Sequence, residues 1–253
     1  MRFSSLDQLF ACPGYTSIET NKSKEEEQYP NVIASREWGT MVHTWKETGK
    51  ISHPSGDKRE EKLFANRIYK SDKNKRESKI EATDYWPTGG FHEIQVAYNW
   101  KEQFSEISFT REDSWYSWFD DDYILGTIDY ILEDSGGLRV SDLKTGKWWN
   151  KLPKESKQIM GYGLATYASM AWPVYTQMDL EVVHWPKYPA KSPPKVTKEC
   201  VSTDELITFG KKVEEKMLQR GEVFNPSEDN CRFCPGRFEC MFAVKKEEEY
   251  GSP

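Results

Sequence analysis

Ile124-Leu125-Gly126-Thr127-Ile128-Asp129-Tyr130-Ile131-Leu132 and Leu138-Arg139-Val140-Ser141-Asp142-Leu143-Lys144, separated by Ser135-Gly136-Gly137, decide how this chain folds. Both runs are rich in β-branched and aliphatic residues and a turn signal lies between them, so together they read as a hairpin. Side chains two apart on a strand share a face, so Asp142 and Lys144 point a carboxylate and an ammonium into the same space. The hairpin brings Asp129 of the first strand beside Asp142 of the second. Two carboxylates and a lysine can hold a divalent metal and activate a water, which is what phosphodiester hydrolysis needs. Taken singly, Asp129 reads equally well as a solvated edge-strand carboxylate, and Asp142 with Lys144 as a plain ion pair. Their conjunction in otherwise apolar strands gives the motif its specificity.

Outward from the hairpin, Phe91 to Trp100 and Phe104 to Thr110 alternate as paired strands. Ser5-Leu6-Asp7-Gln8 fits a capping box for a short helix ending before Cys12-Pro13-Gly14. Ser35 can cap a helix running to Gly49, with Trp38, Met41, Val42 and Trp45 on its apolar side. A second helix is expected over Asp57 to Lys70, and the polar runs Lys22 to Gln28 and Ser71 to Lys79 read as loops. Downstream of the Lys144-Thr145-Gly146 turn, Glu155 to Ala171 has helical spacing, with Ile159, Tyr162, Gly163 and Tyr167 as candidates for burial. Tyr175 to Trp185 reads as a strand, and proline-rich Pro186 to Thr197 as a linker. Ser202-Thr203-Asp204-Glu205 is a second capping box, opening a helix with Leu206, Phe209, Val213 and Met217 that Gly221 ends. This order predicts an α/β fold, a central mixed sheet flanked by helices. It is read as one domain spanning 1–253. Residues 1–90 form a helical part with Cys12 and His43, 91–185 the core, and 198–253 a helix and a cysteine-rich segment.

The 253 residues suffice for one large domain, and 37% hydrophobic residues supply a core. With 35 basic against 41 acidic residues the formal net charge is −6, which argues against loose electrostatic coating of nucleic acid. It leaves room for a local basic channel leading to an acidic site. No apolar run is long enough for a membrane span, and Met1-Arg2-Phe3-Ser4 lacks the stretch of a signal peptide. A cytoplasmic protein is expected, where thiols stay reduced. Five cysteines there suggest metal or cofactor binding more than disulfides.

Gln158 and Tyr162, four apart, share a helix face. From spacing alone, a buried tyrosine beside a glutamine is favoured over a substrate-binding pair. Gly126-x-x-Asp129, Asp142-x-Lys144-Thr145-Gly146 and Gln158-x-x-x-Tyr162, in this order, resemble the RecB-type nuclease domain of the PD-(D/E)XK superfamily. The resemblance implies a restriction-endonuclease-like core. It makes His43, in Trp38-Gly39-Thr40-Met41-Val42-His43, a metal ligand with Asp129, Asp142 and the Leu143 carbonyl. The ion implied is Mg²⁺ or Mn²⁺. It also points to Glu93, in His92-Glu93-Ile94, as an additional acidic site residue. Lys144 would orient the nucleophilic water and stabilise charge on the phosphate, while Gln158 and Tyr162 hold the strand.

Cys231-Arg232-Phe233-Cys234 and Cys240 give C-x2-C-x5-C, which needs a fourth ligand to close a tetrahedral metal or a cubane cluster. By spacing the candidates are Cys12 and Cys200, and structural zinc is the favoured group. One cysteine near the start and three near the end of a RecB-type core resemble the arrangement in AddB and the CRISPR-associated RecB-like exonucleases. That resemblance implies a structural [4Fe–4S] cluster on Cys12, Cys231, Cys234 and Cys240, with Cys200 a free thiol. Lys144, Lys147, Trp148, Trp149, Lys151, Lys154 and Lys157 interleave charge with rings, which suits single-stranded nucleic acid. A solvated loop whose tryptophans pack on the sheet fits them equally well. Lys70, Lys73, Lys75, Arg76 and Lys79 read as exposed loop.

The expected function is that of a metal-dependent DNA exonuclease acting on single-stranded ends, 5′ to 3′, in recombination, repair or degradation. Its setting would be a bacterial or phage-infected cell. No Walker A sequence is present, so unwinding would need a helicase or recombination protein as partner. The rival readings are a nucleic-acid-binding recombination partner on a nuclease-like scaffold and a zinc-stabilised structural protein.

Overall fold

Alternating apolar residues keep the chain extended from Phe91 to Lys144, and four strands form there. The structure is a computed structural model that describes residues 1–17, 30–48, 50–65, 89–112, 114–134, 137–145, 149–173, 175–185, 195–232, 234 and 240–244. For 30–36, 46, 47 and 232 it describes the backbone alone. The expected loops Lys22–Gln28 and Ser71–Lys79, with Lys70, lie outside the described residues. So do Ser135, Gly136, Gly146, Lys147, Trp148 and residues 186–194 of the expected linker.

In chain order the elements are α1 (Leu6–Ala11), α2 (Pro30–Thr48), a helical stretch α3 over 58–65, β1 (Phe91–Asn99), β2 (Phe104–Ser108), β3 (Tyr123–Asp134) and β4 (Gly137–Lys144). Then come α4 (Lys157–Tyr167), β5 (Gln177–His184), β6 (Lys195–Ser202), α5 (Thr203–Leu218) and the short α6 (Glu228–Arg232). The six strands form one mixed sheet in the order β2-β1-β3-β4-β5-β6. Only β4 and β5 run parallel, and α4 makes the crossover that parallel neighbours require. Gly137 opens β4 at φ +119, a conformation open to glycine, so the second strand of the hairpin starts on a glycine.

The two faces of the sheet carry separate apolar layers. Leu138 and Val140 of β4 join Leu180 and Val182 of β5 in the larger core beneath α1, α4 and α5. Leu143 and Val183, of opposite parity, pack instead with Trp38, Met41 and Val42 of α2, Phe64 of α3 and Trp185.

Several local expectations change in detail. Helix α2 starts at Pro30 rather than after Ser35, using proline where a helix tolerates it best. Ser5 precedes α1 but its side chain makes no cap bond. The second capping box forms in full: Ser202 Oγ accepts from Glu205 N, and Ser202 N donates to Glu205 Oε2 at 2.8 Å. Strand β6 begins inside the expected linker, at Lys195, and pairs antiparallel with β5 along all eight of its residues. Its charged, half-exposed sequence is that of an edge strand, which alternation of apolar residues does not reveal.

Candidate metal centre

Strands β3 and β4 pair from Asp134↔Gly137 to Tyr130↔Ser141 and then part. The next residues in register are Asp129 and Asp142, so both carboxylates sit at the fork. Beyond it the chain start takes the place of β4 beside β3: Arg2 bridges Leu125 in parallel, and Leu125 N donates to Met1 O at 2.8 Å. Asp129 Oδ2 reaches across the opening to accept from Leu143 N at 2.6 Å. Asp142 shares parity with Val140 and faces α4, whereas Asp129 turns toward α2. The two carboxylates therefore approach the fork from its two sides.

On the α2 side, His43 Nδ1 lies 3.4 Å from Asp129 Oδ1 and 3.3 Å from Glu93 Oε1. Trp38, Met41 and Val42 press α2 onto the sheet, and Gly39 permits close approach, since a Cβ there would stand 2.9 Å from Thr145 Oγ1. Glu93 occupies the left-handed region at φ +50, between the β1–β3 pairs His92↔Tyr130 and Ile94↔Ile128, where the ladder skips Glu93 and Asp129. At this point the apolar alternation slips by one residue: Ile124 and Ile128 of β3 face the larger core, and so does Ile131. A non-glycine residue held at positive φ stores strain that a site can require. The three groups present one nitrogen and two carboxylate oxygens, all within 4.8 Å of one another. A hard divalent cation such as Mg²⁺ or Mn²⁺ suits such donors, with remaining positions left to water or phosphate.

Their protonation reflects crowding of negative charge. Burial by itself would lower the His43 pKa, but Asp129, Glu93 and Asp142 lift it to about 9. Burial pushes Asp129 up, and Asp142 and Glu93 push the same way, against the pull of His43. A cation relieves this crowding by taking the place of the protons. Arg111 Nη1 stands 3.7 Å from Glu93 Oε2 at the rim, a neighbour that the sequence pattern does not single out because only the fold of β1 against β2 brings it there.

On the α4 side, Lys144 Nζ lies 2.7 Å from Asp142 Oδ2 and donates to Gln158 Oε1 at 2.8 Å. Gln158 Nε2 donates to Tyr162 OH at 3.0 Å and stands 3.5 Å from Asp142 Oδ1. Tyr162 is pushed well above the ordinary tyrosine range by burial and by Asp142, so its phenol stays protonated. Gly126 makes room for this ring, because a Cβ there would meet Phe3 at 2.8 Å and Tyr162 at 3.1 Å. Lys144 Nζ also sits 5.2 Å from the centre of the Trp149 ring, which packs against the core. Asp142 is thus held by Lys144 and Gln158 and is not part of the close His43–Glu93–Asp129 group. Leu143 enters the arrangement through its N–H.

The expected basic track is in part a set of ties between elements. Lys151 pairs with Asp7 at 2.7 Å and Lys154 with Glu205 at 2.7 Å, while Lys157 lies over the Phe10 ring. These contacts dock the start of α4 on α1 and α5. Four of the five cysteines line one pocket: Cys12, Cys231, Cys234 and Cys240, together with Tyr15, Phe224 and Phe242. Asn225 N donates to Cys12 Sγ at 3.4 Å, and Asn230 Nδ2 donates to Ala11 O at 3.2 Å, so the two chain regions are bonded to each other around the thiols. Cys200 is exposed on β6.

No curated protein matches the chain. Among solved structures, the crystal structure of SSO0001 is similar over 97% of this chain and 87% of that one, at 13% identity and a TM-score of 0.38. That likeness is too slight to carry weight. The model of the PD-(D/E)XK nuclease superfamily matches residues 3–241, which contain every side chain described above except Phe242. With the match running over nearly the whole length and across the forked strands that carry the carboxylates, the chain belongs to the PD-(D/E)XK nuclease superfamily.

Proposed function

We propose that this protein is a metal-dependent DNA exonuclease that hydrolyses phosphodiester bonds from single-stranded ends, 5′ to 3′. The observation that carries the reading is the meeting of His43, Glu93 and Asp129 at the fork where Asp142 and Lys144 lie. His43, Glu93 and Asp129 would hold Mg²⁺ or Mn²⁺ between them, and Asp142 and the Leu143 carbonyl, at the same fork, would complete the ligand set once Asp142 leaves Lys144 and Gln158. The ion, when bound, polarises a phosphate oxygen and makes water a nucleophile near neutral pH. Lys144, fixed by Asp142 and Gln158, directs its ammonium at the charge that develops on the phosphate. Gln158 and the protonated Tyr162 donate hydrogen bonds to the strand and keep it in line. The protein acts as one domain in the cytoplasm, with a helicase or recombination protein to open duplex ends.

The test is a time course on 5′- and 3′-labelled single-stranded oligodeoxynucleotides with Mn²⁺. Shortening from the 5′ end is expected in the wild type. Lys144→Ala and Asp129→Asn should each slow it by about 10²–10³, the usual loss when a stabilising group is removed from the reacting charge. Intact substrate with both Mn²⁺ and Mg²⁺, or equal rates in all three proteins, overturns the reading.

The same proposal gives Cys12, Cys231, Cys234 and Cys240 a [4Fe–4S] cluster of structural role. Their common pocket supports it. Anaerobically purified protein should be brown and contain iron and sulfide; zinc without iron would defeat the assignment.

A further inference from the structure

One exposed cation near the fork is held in place by a ring, with no opposite charge paired to it among the described residues. Arg2 is exposed and makes no ion pair among the described residues; its guanidinium lies 4.3 Å over the Tyr116 ring. Tyr116 in turn is fixed to β3, donating to Gly126 O at 2.6 Å and lying 2.8 Å from Thr127 Oγ1. Thr127 is two residues from Asp129, about 6.6 Å along the strand at the usual rise per residue. The carrier of Tyr116 is the tight turn Trp115–Trp118. Trp115 is buried and meets Phe119 edge to face with ring centres 4.6 Å apart, which anchors the turn. Trp118, at its other end, is 71% exposed. A rigid turn that shows an indole to solvent beside an arginine spread on a tyrosine offers the two elements of single-strand binding: a ring to stack on a base and a cation for a phosphate.

Resting on the nuclease reading above, we infer that Arg2, Tyr116 and Trp118 form a strand-holding subsite for single-stranded DNA, beginning about one nucleotide from the metal centre along β3. Arg2 takes a phosphate, and stacking on Tyr116 keeps its guanidinium planar and oriented. Trp118 stacks a neighbouring base. The subsite acts on binding and leaves the chemistry to the fork.

The experiment is fluorescence-anisotropy titration of a labelled single-stranded 12-mer of deoxythymidine in Ca²⁺ across a salt series, with single-turnover cleavage in Mn²⁺ at saturating protein. Arg2→Ala and Trp118→Ala should each weaken binding about tenfold, within the range expected for one base stack. Arg2→Ala should also flatten the log–log salt slope by about 0.7, the value of one phosphate contact on a single strand, whereas Trp118→Ala should not. Tyr116→Phe keeps the ring but loses the bonds to β3, and should weaken binding less than Arg2→Ala. Cleavage at saturation should stay within about twofold in all of them, since a binding-only loss leaves the chemical step untouched. Unchanged affinity and salt slope in Arg2→Ala and Trp118→Ala overturn the subsite even if the wild type cleaves. Wild-type protein that binds with the predicted losses yet cleaves nothing sinks the nuclease reading and leaves the subsite standing.

Discussion

Glu93 shows how much of the site depends on one backbone conformation. Its φ of +50 puts its carboxylate 3.3 Å from His43, facing Asp129, where regular alternation along β1 would direct it elsewhere. The two carboxylates of this group then crowd negative charge around His43, which protons offset. This sets the pH dependence. His43 has a folded pKa of about 9, above its ordinary 6.5, so its contribution to stability is complete below pH 6.5 and fades as pH rises through 9. Asp129, whose pKa is also raised in the folded state, acts in the same direction. The melting temperature of protein kept in EDTA should therefore fall between pH 6.5 and 9.5. With saturating Mg²⁺ it should fall less, because the ion binds the deprotonated groups and its affinity grows as they lose their protons. Scanning fluorimetry of both forms over that range decides it; parallel curves would show that these side chains do not share an ion. Asp142, Lys144, Gln158 and Tyr162 were legible as candidates from spacing and resemblance. That Asp129 belongs with α2 and Asp142 with α4 was not, because a hairpin drawn from sequence does not say where its strands part.

At the scale of elements, the position of α2 against β4 controls whether His43 reaches the fork. Gly39 sets that distance. Gly39→Ala would place a methyl 2.9 Å from Thr145 Oγ1, so either Thr145 must change rotamer or the helix must shift. The helix should back away, costing about 1–3 kcal/mol as overpacking does. Cleavage should fall at least tenfold while DNA affinity holds, a split that steady-state kinetics and anisotropy together measure. The hairpin, α4 and the capped α5 were readable because each carries strong local signals: β-branched runs, a helical period, a reciprocal Ser202–Glu205 cap. Strand β6 was not, since an edge strand with charged residues looks like linker until β5 lies beside it. The lysines before α4 misled for a related reason. Lys151 and Lys154 look available to phosphate in the sequence, but their partners Asp7 and Glu205 are remote in the chain. Exposed pairs of this kind contribute little stability, so Lys154→Ala should change melting temperature and cleavage only slightly.

Across the whole molecule, the start and the cysteine-bearing segment meet. Gly14 N donates to Val223 O at 2.7 Å and Gly221 N to Pro13 O at 3.1 Å, next to the pocket that the four thiols line. Under the cluster proposed above, Cys12→Ser and Cys234→Ser should each lower the melting temperature and abolish visible absorbance, while Cys200→Ser, at an exposed position on β6, should change neither. A drop in absorbance with Cys200→Ser would reassign the fourth ligand. The superfamily match runs from residue 3 to 241 and so covers both sides of this junction.

The larger core lies on one face of the sheet, and a much smaller group of side chains fastens α2 to the other. Two layers of such unequal size should open independently, the thinner one first. His43 belongs to the thin layer, Glu93 and Asp129 to the strands beneath it. A cation between them would act as a rivet through both plates. Deuterium uptake should reach α2 amides well before those of β3 in EDTA, and Mg²⁺ should close that gap; an α2 that exchanges at the same pace with and without the ion would mean the plates are not joined there.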